Sequence, residues 1–183
     1  MTKKPTYRTQ IYELGAENFG VVTIDSAAAV GVPAVELRKL AQRKALIRSG
    51  RGVYRIPFFA QTQEAQALEA VKLVGENAFL SGESVLSLLN LGVFNPAKFE
   101  VSTPNRIRKI LPNYITFRHC KFNEIPAVEY YQSVPCQPVY EAFQQVAVTT
   151  IASRFVSAID EAYQQGYLNK YQIQKLRDLV KNR

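Results

Sequence analysis

The segment from Gly20 to Pro57, GVVTIDSAAAVGVPAVELRKLAQRKALIRSGRGVYRIP, leaves little freedom in what the first third of this 183-residue chain can form. Val21 and Val22 make a short extended piece, and Thr23 or Asp25 caps a helix over the Ala-rich run Ala27 to Val30. Gly31 supplies a turn, and Pro33 takes the first position of a further helix, where a missing N–H costs nothing. Upstream, Tyr7, Ile11 and Leu14 recur at helical spacing behind Thr6, and Gly15 ends that helix. Downstream, Leu46 and Ile47 begin a strand, Ser49-Gly50-Arg51-Gly52 turns it, and Val53 to Ile56 returns. Helices joined at a glycine and followed by a basic hairpin form the pattern of a winged helix-turn-helix, which lays one helix in a DNA major groove.

The side chains sort by periodicity. On the helix after Pro33, Leu37, Leu40 and Ala41 share one face and should pack inward. A rotation of about 100° per residue puts Val35, Lys39 and Gln42 on the other side, flanked by Arg38 and Arg43. Arg bonds guanine bidentately and Gln adenine, while Lys39 suits a base or a phosphate. Glu36 is out of keeping there unless it faces Arg43 or a cytosine amino group. In the hairpin, alternation turns Tyr54 and Ile56 inward and Arg55 outward. Arg48, Arg51 and Arg55 then flank the helix as a backbone clamp, with glycines allowing a close approach to phosphate. The expected DNA-binding residues are Arg38, Lys39, Gln42, Arg43, Arg48, Arg51 and Arg55.

Charge agrees with that assignment. The net charge is +8; residues 1–60 carry 10 Lys+Arg against 4 Asp+Glu, and residues 61–183 carry 13 against 11. The excess is thus +6 on the first third and +2 on the rest, an imbalance that suits a polyanionic partner. No stretch approaches the roughly 18 apolar residues of a membrane span, and no signal peptide is evident. Two cysteines, Cys120 and Cys136, are too few for a disulfide scaffold. A cytoplasmic protein is expected.

The polar Gln61-Thr62-Gln63 after Pro57 marks a junction, giving domains at 1–60 and 61–183. Beyond it, Ala65, Leu68, Val71 and Val74 form a helix ended by Gly75. Ala78 to Leu80 is a strand, and Ser81 to Gly92 a helix closed by glycine. Phe99–Thr103, Ile115–His119 and Val128–Tyr131 are strands. Val139–Val146 is helical, as is Ile151–Val180 around a turn at Gly166, with stripes Phe155, Ile159, Tyr163 and Ile173, Leu176, Val180. This order implies an α+β domain. Arg106, Arg108 and Lys109, with Arg118 and Lys121, make a second basic surface, beside which Tyr130 and Tyr131 could stack on bases.

Reactive groups are scarce. His119 and Cys120 are strand neighbours pointing to opposite faces, so they form no dyad. Cys136 follows Pro135 in a loop, and one His with two separated Cys makes no ordinary zinc site. Ser81, Ser84 and Ser87 lack a base, and Gly82-Glu83-Ser84 is no phosphate loop. Glu100 and Glu129 stand alone on their strands, whereas paired carboxylates would be needed to hold magnesium. No enzyme activity, metal or cofactor is expected.

ALIRSGRGVYRIP after VPAVELRKLAQRK resembles the N-terminal domain of AbiEi-type antitoxins, whose winged helix ends in a basic turn and a GVYR-x-P strand, here Gly52 to Pro57. FLSGESVLSLLNLG, FEVSTPNRIRK and QPVYEAFQQVA are similar to later segments of that family, by pattern more than by motif. The resemblance implies a repressor that binds repeats in its own promoter and counteracts a nucleotidyltransferase toxin without requiring a stable complex. It further implies a role in abortive phage defence or mobile-element maintenance, and a nucleotidyltransferase-like fold for the larger domain. Alternatives are a free-standing regulator whose second domain senses a ligand or dimerises, and a nucleic-acid-processing enzyme. A helix-turn-helix usually works on paired half-sites, but no dimer surface stands out.

Overall fold

The computed structural model describes residues 5–181, so Lys3, Lys4 and Arg183, counted in the charge balance, lie outside the described residues. The chain is α+β and divides into two compact units, Met1–Gly75 and Glu76–Arg183.

The first unit opens with α1 (Tyr7–Ala16), capped by Thr6, whose hydroxyl accepts from the Thr9 N–H at 3.2 Å. Gly15 lies inside this helix instead of ending it, because its bare Cα lets the Ile56 side chain pack directly onto it. Strand β1 (Val21–Thr23) leads into α2 (Ile24–Ala29), where Thr23 and Ser26 form a reciprocal capping box. Gly31, at φ +78, closes α2: its N–H reaches Ala28 O and the Val32 N–H reaches Ala27 O, the paired bonds of a Schellman turn. Pro33 is then extended and precedes α3 (Ala34–Gln42) as its cap, one residue earlier than expected. Ile11, Val22, Leu37, Leu40, Leu46, Tyr54 and Ile56 form the core that holds these pieces.

Strands β2 (Ile47–Gly50) and β3 (Val53–Arg55) complete a sheet in the order β1-β3-β2, antiparallel throughout. Ser49 and Gly50 belong to β2, at a bulge between Arg48 and Gly50, so the turn narrows to Arg51-Gly52. Helix α4 (Gln63–Val74), capped by Thr62, packs on all three strands, and the first unit accordingly runs to Gly75, past the junction expected near residue 60. The reason lies in the sheet's second face. Val21 and Val53 are both buried there, and Gly50 leaves room for Leu73 against the backbone.

The second unit holds a five-stranded mixed sheet, β6-β5-β4-β8-β7. Its strands are β4 (Phe79–Leu80), β5 (Phe99–Thr103), β6 (Ile115–His119), β7 (Glu129–Tyr131) and β8 (Val134–Cys136). Cys136 therefore lies on a strand, not in a loop. The brevity of β8 and its central proline hide it in the sequence, but its parallel partner is β4, which pairs Leu80 with Cys136. Helix α5 (Glu83–Leu88) ends earlier than Gly92: Asn90 takes the left-handed position at φ +54, and the Leu91 N–H donates to Leu86 O. Gly92 instead packs on Ala158, and its N–H donates to Glu161 at 2.6 Å. Helices α6 (Val139–Val146), α7 (Ala152–Gln164) and α8 (Lys170–Lys181) follow. In their stripes Phe155, Ile159, Ile173 and Leu176 are buried, whereas Tyr163 is exposed and Ala158 and Ala162 take the inward places.

Candidate nucleic-acid interface

Helix α3 presents two unlike faces. Leu37 and Leu40 are buried in the core, while Val35, Arg38, Lys39 and Gln42 are exposed on the other side. Glu36, the odd acidic residue, pairs with Lys39 at 2.8 Å, one turn along the helix, and not with Arg43. Arg43 is the capping residue just past the helix, exposed. Lys44 follows at φ +58, a position where glycine is usual; its N–H donates to Ala41 O at 3.0 Å and that of Ala45 to Leu40 O at 2.9 Å. An exposed cation thus stands between the helix and β2, at the negative end of the helix dipole. Sequence reasoning passed over Lys44. The signal was present: a residue two places past a helix end and just ahead of a strand is the one that must turn left-handed.

The hairpin sorts its arginines less evenly than alternation alone implies. Arg51 sits on the two-residue turn and is exposed, with Gly52 at φ +77 beside it. The Gly52 carbonyl accepts from the Ile24 N–H at 3.0 Å, which fixes the turn against the start of α2. Arg48 lies on the outer strand, exposed, its Nε donating to Gly50 O at 3.3 Å. Arg55 is different. It occupies the central strand, paired with Val21 and Ile47, on the sheet face that α4 covers, and it is half-buried. The outward direction expected for it is occupied by a second layer. Among the described residues, no carboxylate is within ion-pair distance of Arg38, Arg43, Lys44, Arg48 or Arg51.

In the second unit, Arg106, Arg108 and Lys109 are exposed between β5 and β6. Arg118 on β6 and Lys121 just after it are also exposed, but each faces an acid: Arg118 bonds Glu100 at 3.1 Å, and Lys121 lies 3.3 Å from Glu124. The Lys121 N–H, with that pairing, holds the Glu124 carboxyl below its usual range. Tyr130 is 72% exposed but sits on β7, at the opposite sheet edge from β6, and is not brought to these cations. Tyr131 donates to the Glu129 carboxylate and packs edge-on against Tyr167.

Ser81 and Ser84, two of the serines noted in the sequence, belong to a polar knot. Glu100 Oε1 accepts from Gln145 at 2.5 Å, from Arg118 at 3.1 Å and from Ser81 at 3.4 Å. Ser102, which sequence reasoning did not single out, donates to Ser81 Oγ at 2.8 Å, and the Glu100 N–H donates to Ser84 Oγ at 2.8 Å. These bonds satisfy buried polar groups around a lone carboxylate. Among the described residues, no group of three or more His, Cys, Asp or Glu is placed to share a metal ion. Burial pushes the Cys136 thiol up to about 12, so it stays protonated at neutral pH. No helix among the described residues is long and apolar enough to cross a membrane.

Residues 10–57 match a protein family described as "Transcriptional regulator, AbiEi antitoxin". Among solved structures, the fold is similar to that of the RV2827C protein from Mycobacterium tuberculosis, with a TM-score of 0.51. That likeness has 13% identity and covers 95% of this chain and 72% of the other, so it bears on fold alone. No curated protein sequence matches the chain.

Proposed function

We propose, from the match of residues 10–57 to the family described as "Transcriptional regulator, AbiEi antitoxin", that the first unit is a winged helix-turn-helix bound to promoter DNA. The supporting observation is the set of exposed cations without acidic partners, Arg38, Arg43, Lys44, Arg48 and Arg51, carried by one core-packed helix, the turn after it and the adjacent hairpin. Such charges have no acidic partner within the fold, and the phosphates of a duplex would supply one. Arg38, Lys39 and Gln42 read base edges, Arg43 and Lys44 meet phosphate beyond the helix end, and Arg48 and Arg51 hold the backbone. Arg55 supports the sheet under α4 and contributes to the field, not to contact.

The full chain then acts in the cytoplasm as an antitoxin-type repressor of its own operon, acting at promoter repeats and opposing a nucleotidyltransferase toxin in phage defence or mobile-element maintenance. Its second unit is a non-catalytic, nucleotidyltransferase-like domain. Saturation of Glu100 by Arg118, Gln145 and Ser81 supports the non-catalytic reading.

The test is selection of the full chain against a random double-stranded DNA library. Enrichment of a defined site is expected, with affinity for it falling about a hundredfold in the Arg38→Ala, Arg51→Ala double variant, as removal of one base-reading and one phosphate-binding side chain requires. No enrichment, or an unchanged affinity in that variant, contradicts the proposal.

A further inference from the structure

Val35 is the one exposed aliphatic side chain on the outward stripe of α3, and nothing so far accounts for it. It lies in the first turn of the helix, 45% exposed, with Arg38 and Lys39 one turn on and Gln42 two turns on. A β-branched residue there gains no core packing and costs helix propensity of a few tenths of a kcal/mol. The first turn of a groove-bound helix is also the part that approaches base edges most closely. In the major groove the one apolar feature of any base is the thymine 5-methyl group.

We propose that Val35 is a specificity-determining residue that packs on the methyl group of a thymine in the bound site, next to the base contacts of Arg38, Lys39 and Gln42. This rests on the DNA-binding reading of the first unit. Arg38 and Gln42 register the helix on purine edges further along the groove, and the methyl contact fixes a pyrimidine at the end where the first turn lies.

A thymine-to-deoxyuridine scan tests the idea, because it deletes one methyl at a time and leaves pairing and phosphates unchanged. The probe is the duplex selected by the full chain from the random library. Loss of the methyl at one thymine position of the selected site should weaken wild-type binding about fourfold, the factor that one methyl group's removal from water supports. In Val35→Ala that position should become insensitive, with the dependence on salt unchanged. Val35→Ala keeps a strong helix former at an exposed site, and a helical circular dichroism signal equal to wild type shows that the variant is folded. Full uracil sensitivity in Val35→Ala, or no sensitive thymine in the wild type, overturns the inference while the DNA-binding reading stands. Failure to enrich any site overturns both.

Discussion

The two units carry exposed cations to opposite effect. In the first, Arg38, Arg43, Lys44, Arg48 and Arg51 project from a helix, the turn after it and a tight hairpin that the core holds in place, and no acid among the described residues answers them. In the second, Arg118 and Lys121 are each met by a carboxylate, and Arg118 is bound into a network reaching Ser81, Gln145 and Ser102. The same residue types are thus left without an acid in one place and drawn into internal pairs in the other. What separates these two sets is whether the fold supplies an acceptor; Arg106 and Arg108 of the second unit, exposed with no carboxylate within ion-pair distance among the described residues, stand apart from both.

Breaking the internal network should have the larger effect on stability. Glu100→Ala leaves Gln145 and Ser81 without their acceptor and frees Arg118, and should destabilise the chain by about 1–3 kcal/mol in urea unfolding, with DNA affinity retained. Unchanged stability would mean that the network is incidental. A smaller effect of opposite sign sharpens the other half. Lys44→Gly relieves a left-handed lysine and should raise stability by about 0.5–1 kcal/mol, while weakening DNA binding because a cation is removed. If DNA affinity is unaffected, Lys44 plays no part in the interface.

Much of this was legible in the sequence, and for physical reasons. The α3 periodicity separates Leu37 and Leu40 from Arg38, Lys39 and Gln42 because one helix face must be dry. Gly31 signals its turn because only a residue tolerant of positive φ fits there. Alternation failed at Arg55 because it presumes one buried sheet face, and α4 buries the second. Strand β8 was missed because Val134-Pro135-Cys136 has no periodicity of its own and is defined by its neighbours, β4 and β7. The Glu100 network was invisible for a similar reason: Ser81, Glu100, Arg118 and Gln145 come from four separate places in the chain, and only the sheet order brings them together.

The contrast between the units reduces to one measurement: the slope of log affinity against log salt for the full chain on its selected duplex. Arg48→Ala, Arg51→Ala in the first unit should reduce the slope by about 0.9 for each phosphate no longer neutralised. Arg106→Ala, Arg108→Ala in the second should leave slope and affinity as in the wild type. Equal slopes in wild type and the Arg48, Arg51 variant, or a larger change from the Arg106, Arg108 variant, would contradict the assignment of DNA binding to the first unit.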